Sequence, residues 1–143
     1  MMKAGARRLH MIRTQVLESQ RIQHTAKLFG INFTKCFEPL VYTITDNIAN
    51  NYLGGYWEFY TLSNGGFYMA MHSDTLFKVS CENGYEGDLS SDALGITACL
   101  YVYSYLSFSD DKGLAETCTE QYHWLRDYMM IHPEVTEILK AID

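Results

Sequence analysis

A chain of 143 residues with 48% hydrophobic side chains fits one domain with a single core, large enough to bury roughly two-thirds of its unfolded surface. Its net charge of −6 is unevenly spread: residues 1–35 hold seven of the eleven lysines and arginines (Lys3, Arg7, Arg8, Arg13, Arg21, Lys27, Lys35) beside the single acid Glu18, whereas residues 36–143 hold four basic and sixteen acidic side chains. Such an acidic body repels nucleic-acid phosphates and argues against direct DNA binding by anything except the basic N-terminal segment.

Along the chain, Leu9, Ile12, Val16 and Ile22 follow helical spacing from Arg7 to about Lys27, and Gly30 ends that element. The composition therefore divides the chain into a basic N-terminal helix or arm, residues 1–35, loosely attached to a domain of residues 36–143. A second helix starts near Pro39, carries Val41, Ile44, Ile48 and Tyr52 at spacings of three and four, and stops at Gly54-Gly55.

Residues 56–62 and 67–71 are rich in β-formers and flank Ser63-Asn64-Gly65-Gly66, whose Asn-Gly pair tolerates the positive φ of a tight hairpin turn. After a turn at His72–Thr75, Leu76–Cys81 reads as a third strand with Phe77, Val79 and Cys81 on one face, followed by a polar loop around Asn83-Gly84 and Gly87.

Ser90, Ser91 or Asp92 can cap a helix from about Ala93 to Ser107 that is apolar nearly all round, the pattern of an element sandwiched inside a domain. Its apolar run is interrupted by Gly95, Thr97, Ser104 and Ser107 and is shorter than the roughly 18 residues of a membrane span. Ser109-Asp110-Asp111 caps a further helix carrying Leu114, Cys118, Leu125 and Met129, and Pro133 sits at the first turn of a last one with Val135, Ile138, Leu139 and Ile142. Contiguous strands between helices predict an α+β fold, a three-stranded antiparallel meander packed with four to five helices in a single domain.

The segment Tyr52–Met71, YLGGYWEFYTLSNGGFYMAM, resembles the hallmark block of the antirestriction proteins of the KlcA/ArdB type, which are carried by plasmids and other mobile elements. The matching positions are Gly54, Gly55, Tyr56, Trp57, Phe59, Tyr60, Leu62, Ser63, Asn64, Gly65, Gly66, Phe67, Tyr68 and Met69, and the likeness extends from about Glu38 to the C-terminus, including His132-Pro133-Glu134. The resemblance implies a small cytoplasmic protein that lets incoming DNA escape type I restriction-modification enzymes, with no catalytic residue, no cofactor and no small-molecule substrate.

The residues themselves offer little to chemistry. His10, His24, His72, His123 and His132 are scattered without metal-ligand spacing, and Cys36, Cys81, Cys99 and Cys118 contain no C-x-x-C pair and read as reduced cytosolic thiols. Cys81 and His72 lie on neighbouring strand segments and could meet as a nucleophile and base, yet no nucleophile elbow occurs. The glycine pairs lack the order of a phosphate loop. The aromatics Tyr56, Trp57, Phe59, Tyr60, Phe67 and Tyr68 could stack bases only beside a cationic groove, and no lysine or arginine occurs between Lys35 and Lys78. Strand alternation puts some of these rings in the core and others on a partly exposed face suited to a protein partner.

Two acidic groups remain as candidate partner-binding positions: Glu82, Glu86, Asp88 and Asp92, and Asp110, Asp111 and Glu116. Duplex DNA presents a charge every 1.7 Å or so, hence roughly 18 over about 30 Å. Sixteen acids spread over a whole body and offset by four bases cannot reproduce that on one face, so full duplex mimicry fails. The favoured partner is the type I restriction complex or an accessory protein, bound by shape and a modest acidic patch. A nucleic-acid binder using the basic arm and an unrecognised hydrolase are the alternatives.

Overall fold

The computed structural model describes residues 11–143. Its elements in chain order are β1 (Arg13–Gln15), α1 (Arg21–Phe29), α2 (Glu38–Ile48), β2 (Trp57–Leu62), β3 (Phe67–Met71), β4 (Phe77–Ser80), β5 (Glu86–Leu89), α3 (Ser91–Leu106), α4 (Lys112–Met129) and α5 (Val135–Ile142). A π-helical turn, Phe33–Phe37, leads into α2. Two antiparallel sheets, one in the order β1-β2-β3 and one of β4 and β5, share a single α+β domain with the helices.

The hairpin of β2 and β3 forms where its turn chemistry demands. Gly65 has φ 103°, Gly65 N–H donates to Leu62 O at 2.9 Å, and Asn64 Oδ1 accepts Gly66 N–H at 2.9 Å. Register sets Trp57 opposite Met71 and Thr61 opposite Phe67. The turn is fastened to α4: Gln121 Oε1 accepts Phe67 N–H at 2.8 Å, Gln121 Nε2 donates to Gly65 O at 3.2 Å, and Asn64 Nδ2 donates to Trp124 O at 2.9 Å. A Cβ on Gly65 would stand 3.3 Å from the Trp124 ring, so the indole lies directly on the turn.

α3 is the centre of the core. Ser90 Oγ caps it by accepting Ala93 N–H, and eleven of its sixteen residues are buried. It lies against β3 so closely that a Cβ on Gly95 would come within 2.5 Å of Ala70 Cβ and of Met69 O. Side chains of α3 also take up outward carbonyls of β3, Tyr103 Oη donating to Phe67 O at 2.7 Å and Cys99 Sγ to Met69 O at 3.7 Å. Around this contact Phe29, Phe33, Phe37, Phe59, Phe67 and Tyr103 form one aromatic cluster, with Phe37 stacked on Tyr103 at 4.8 Å and Phe59 edge-on to Phe67 at 5.6 Å. Such pairs add to simple burial.

Four expectations need correction. The helix foreseen from Arg7 to Lys27 holds only from Arg21 onward, because Arg13–Gln15 pairs with β2 and α1 starts at Arg21; Ile12 and Ile22 face solvent. Residues 1–10, with Lys3, Arg7, Arg8, Leu9 and His10, lie outside the described residues. The three-stranded antiparallel sheet exists with a different third member. The strand at Phe77 does not extend a meander beyond β3, whose carbonyls α3 already uses; Gly84 at φ 92° folds it back onto β5, turning part of the foreseen polar loop into a strand. α2 ends at Ile48 rather than at Gly54-Gly55, since Ala49 turns extended and bridges to Val79. Pro133 precedes the N-cap Glu134 of α5 and is not in its first turn.

Phe29 and Phe33, both within residues 1–35, are buried in the same core as residues 36–143. Arg21 Nη2 donates to Trp57 O at 2.7 Å and its guanidinium lies 4.2 Å over the Phe59 ring, so this end of the basic segment is joined to β2.

Candidate functional site

The most highly connected polar cluster joins four elements distant in sequence. Asp92, in the first turn of α3, accepts from Arg13 Nη1 of β1 at 2.8 Å and from Tyr68 Oη of β3 at 2.7 Å, both on Oδ1, and its Oδ2 lies 2.8 Å from His132 Nε2 just before α5. Arg13 Nη1 also donates to Tyr68 Oη at 2.9 Å. Glu134 N–H donates to His132 Nδ1 at 3.0 Å, which leaves Nε2 as the ring nitrogen that donates to Asp92. Glu134 reaches back in turn, accepting Ser90 N–H at 2.9 Å and a short hydrogen bond from Ser90 Oγ.

Electrostatics favour the charged pair at its centre. Burial pushes the Asp92 carboxyl upward, but the hydrogen bonds from His132 and Tyr68 and the charge of Arg13 outweigh it and hold the group below the ordinary carboxylate range. Burial likewise works against the Arg13 guanidinium and is overcome by Tyr68 and Asp92, so it stays charged. The cluster continues outward: Arg13 lies 4.1 Å over the Tyr60 ring, Tyr60 Oη donates to Glu58 at 2.7 Å, and Glu58 sits 3.4 Å from the exposed His72. Burial and the Glu58 bond push the Tyr60 phenol up to about 12.

This arrangement positions chain segments from both ends of the sequence. Both ring nitrogens of His132 and both oxygens of Asp92 are engaged within the protein, so neither has a vacant site for a reacting proton. Cys81 and His72 do not pair, since His72 turns to Glu58 and Cys81 to Tyr101. Burial raises the Cys81 thiol and lifts Cys99 and Cys118 to about 12, which suppresses the thiolate a nucleophile requires. Among the described residues no three His, Cys, Asp or Glu side chains converge to hold a metal ion. Nor is any helix there long and apolar enough to cross a membrane.

The candidate acids fall in three places. Glu82, Glu86 and Asp88 are exposed on the two-stranded sheet and its turn, with Asp88 loosely paired to Lys78 at 3.9 Å. Asp92 belongs to the inner network and is no free patch acid. Asp110, Asp111 and Glu116 lie beyond the other end of α3, whose sixteen residues span about 24 Å, so the acids form no common face with the first group. Asp111 Oδ1 also caps α4 through Leu114 N–H at 3.1 Å.

In the hallmark block Gly54, Gly55, Tyr56 and Ser63 are exposed, whereas Trp57, Phe59, Tyr60, Gly66, Phe67 and Tyr68 are buried. The second aromatic face foreseen for a partner is therefore covered except at Tyr56: Tyr128 of α4 stacks on Tyr68 at 5.9 Å and Arg13 lies 4.1 Å over Tyr60, while Phe33 meets Phe59 edge-on at 5.4 Å on the other face. Sequence reasoning missed Arg13, Ser90, His132 and Glu134 as a unit. Only the proximity of His132 to Pro133-Glu134 hinted that this histidine had a fixed role.

Comparison with known proteins gives the molecule its place. The family model described as "Antirestriction protein" matches residues 50–143. The chain is 36% identical over 130 residues to "Antirestriction protein KlcA" of Escherichia coli, covering 90% of this chain and 92% of that protein. It is 38% identical over 134 residues to the protein YfjX of Escherichia coli strain K12, covering 91% and 86%. A solved structure from work on KlcA and ArdB superposes with a TM-score of 0.85 at 34% identity over 94% of this chain and 96% of that one; those proteins show antirestriction activity against type I DNA restriction systems in vivo but not in vitro. The chain thus belongs to the antirestriction protein family.

Proposed function

We propose that this chain relieves type I restriction of incoming DNA in the cytoplasm, and does so by occupying a protein partner and not by catalysis. The observation that carries the reading is the correspondence of almost the entire fold to a structure whose protein has that activity in vivo. The engaged histidine and the buried thiols support a non-enzymatic route. The scattered acids favour recognition of a protein surface over imitation of DNA, whose charge density they do not approach.

Activity of the related proteins in vivo but not in vitro supports a partner that the cell supplies, either an accessory protein or the type I restriction complex in its cellular state. The reading in which the basic segment binds DNA loses two of its cations to structure, Arg13 to Asp92 and Arg21 to Trp57. Transformation with unmodified and modified plasmid tests the proposal. Expression of the chain should raise recovery of unmodified plasmid in a host with a type I system and leave modified plasmid unaffected; equal recovery of unmodified plasmid with and without the chain overturns it.

A further inference from the structure

The connection from α3 to α4 exposes two large aromatic side chains on a firmly built turn. Tyr105 is 70% exposed and Phe108 86%. The turn is ordered by its own hydrogen bonds: Phe108 N–H donates to Tyr105 O at 3.3 Å, Ser109 N–H to Leu106 O at 3.0 Å, Ser107 Oγ to Ser104 O at 2.6 Å and Asp111 N–H to Ser109 Oγ at 3.1 Å. Phe108 is thus held outward by structure, which lowers the ordering cost of binding there. Two shallow grooves adjoin along Leu106–Phe108, one lined by Tyr105, Leu106, Phe108, Ser109 and Asp110, the other by Ser107, Ala115, Glu116, Thr119 and Glu120.

The charge along these grooves is predominantly negative. Asp110, Asp111, Glu116 and Glu120 face Lys112 as the one basic residue from Tyr105 to Glu120. Among the described residues the ion pairs engage Asp92, Glu58, Asp88 and Glu137, and none takes Asp110, Glu116 or Glu120.

From the apolar groove and this charge we infer that the α3–α4 turn is the docking surface for a basic, amphipathic segment of a protein, which seats an apolar side chain between Tyr105 and Phe108 and sets lysines or arginines against Asp110, Glu116 and Glu120. A second copy of the chain is disfavoured, since a two-fold contact would bring the same acids face to face. Nucleic acid and anionic lipid are repelled by the same field. The inference deepens the proposed function by naming the surface and the chemistry of its partner.

Two measurements on the full chain separate the surface from the function. The first is fluorescence anisotropy with a labelled peptide of about 18 residues, leucine on one helical face and lysine on the other, beside a counterpart with glutamate for lysine. The lysine peptide should bind and the glutamate peptide should not. The double variant Tyr105→Ser/Phe108→Ser and the double variant Glu116→Lys/Glu120→Lys should each weaken binding about tenfold or more, while Glu86→Lys/Asp88→Lys leaves it unchanged. Absence of binding by the lysine peptide, or undiminished binding by both groove variants, overturns the inference.

The second is plasmid recovery in the restricting host with the same variants, each shown folded by its circular dichroism and melting temperature. Loss of relief in the groove variants alone supports the surface. Relief by all variants removes the surface and leaves the function standing; absence of relief by the unaltered chain removes the function, and the peptide measurement still decides the surface.

Discussion

Arg13 Nη1 lies 2.8 Å from Asp92 Oδ1 across 79 positions of sequence, so the edge strand β1 is tied to the first turn of the central helix. Both side chains are part-buried, and removing either leaves the other's charge poorly compensated. Asp92→Asn and Arg13→Met should each lower stability by about 1–3 kcal/mol in urea unfolding. The double variant should lose less than the sum of the two, with a coupling of about 0.5–3 kcal/mol. Strict additivity would show that the contact carries no energy.

Acid should act through the same carboxylate. The Asp92 pKa is lowered in the folded chain, so its contribution to stability is complete above the unfolded carboxylate range near about 4 and is lost as pH falls through the lower folded value. Urea midpoints followed downward from neutrality should therefore fall through this acid window, and Asp92→Asn should flatten the slope there. An unchanged slope in the variant would assign acid sensitivity to other groups.

Gly95 is required by packing and Gly113 is not. A Cβ at Gly95 would stand 2.5 Å from Ala70 Cβ and Met69 O, whereas one at Gly113 would meet Asp111 Oδ1 at an ordinary 3.6 Å. Gly95→Ala should cost about 1–3 kcal/mol or more by forcing α3 off β3. Gly113→Ala, inside α4, should be neutral or stabilise by up to about 1 kcal/mol. Thermal melts of the two variants compare them directly, and equal shifts would contradict the close approach of α3.

Gln121 joins the hairpin to α4 while almost wholly buried, its amide accepting from Phe67 and donating to Gly65. Gln121→Leu leaves both backbone groups without their partner and should cost about 1–3 kcal/mol. Amide exchange at Phe67 should accelerate beyond what this global loss accounts for. Protection at Phe67 falling only in step with its neighbours would mean that another group satisfies it.

What the sequence made legible was local. The Asn64-Gly65 turn, the caps Ser90 and Asp111, and the all-round apolar pattern of α3 each sit within a few residues of what they determine. β1 was not legible, because its three residues are all exposed and show no alternation, and only pairing with β2 makes them a strand. The partner of Phe77–Ser80 was missed since β5 carries Glu86, Gly87 and Asp88, types that composition assigns to a loop. The network of Arg13, Tyr68, Asp92 and His132 depends on contacts across 24 to 79 positions, which no periodicity reports. Of the aromatic hallmark, alternation placed one face in the core and the other partly in solvent; apart from Tyr56 both are buried, because Tyr128 and Arg13, remote in sequence, lie on Tyr68 and Tyr60.

The central claim is relief of type I restriction in the cell by occupation of a partner. Its most direct test is the efficiency of plating of unmodified phage on a type I-restricting host while the number of copies of this chain per cell is titrated. Plating should rise in step with copy number and level off once the partner is saturated, with no change on a host lacking the restriction system. A flat response on the restricting host at every copy number would contradict the account.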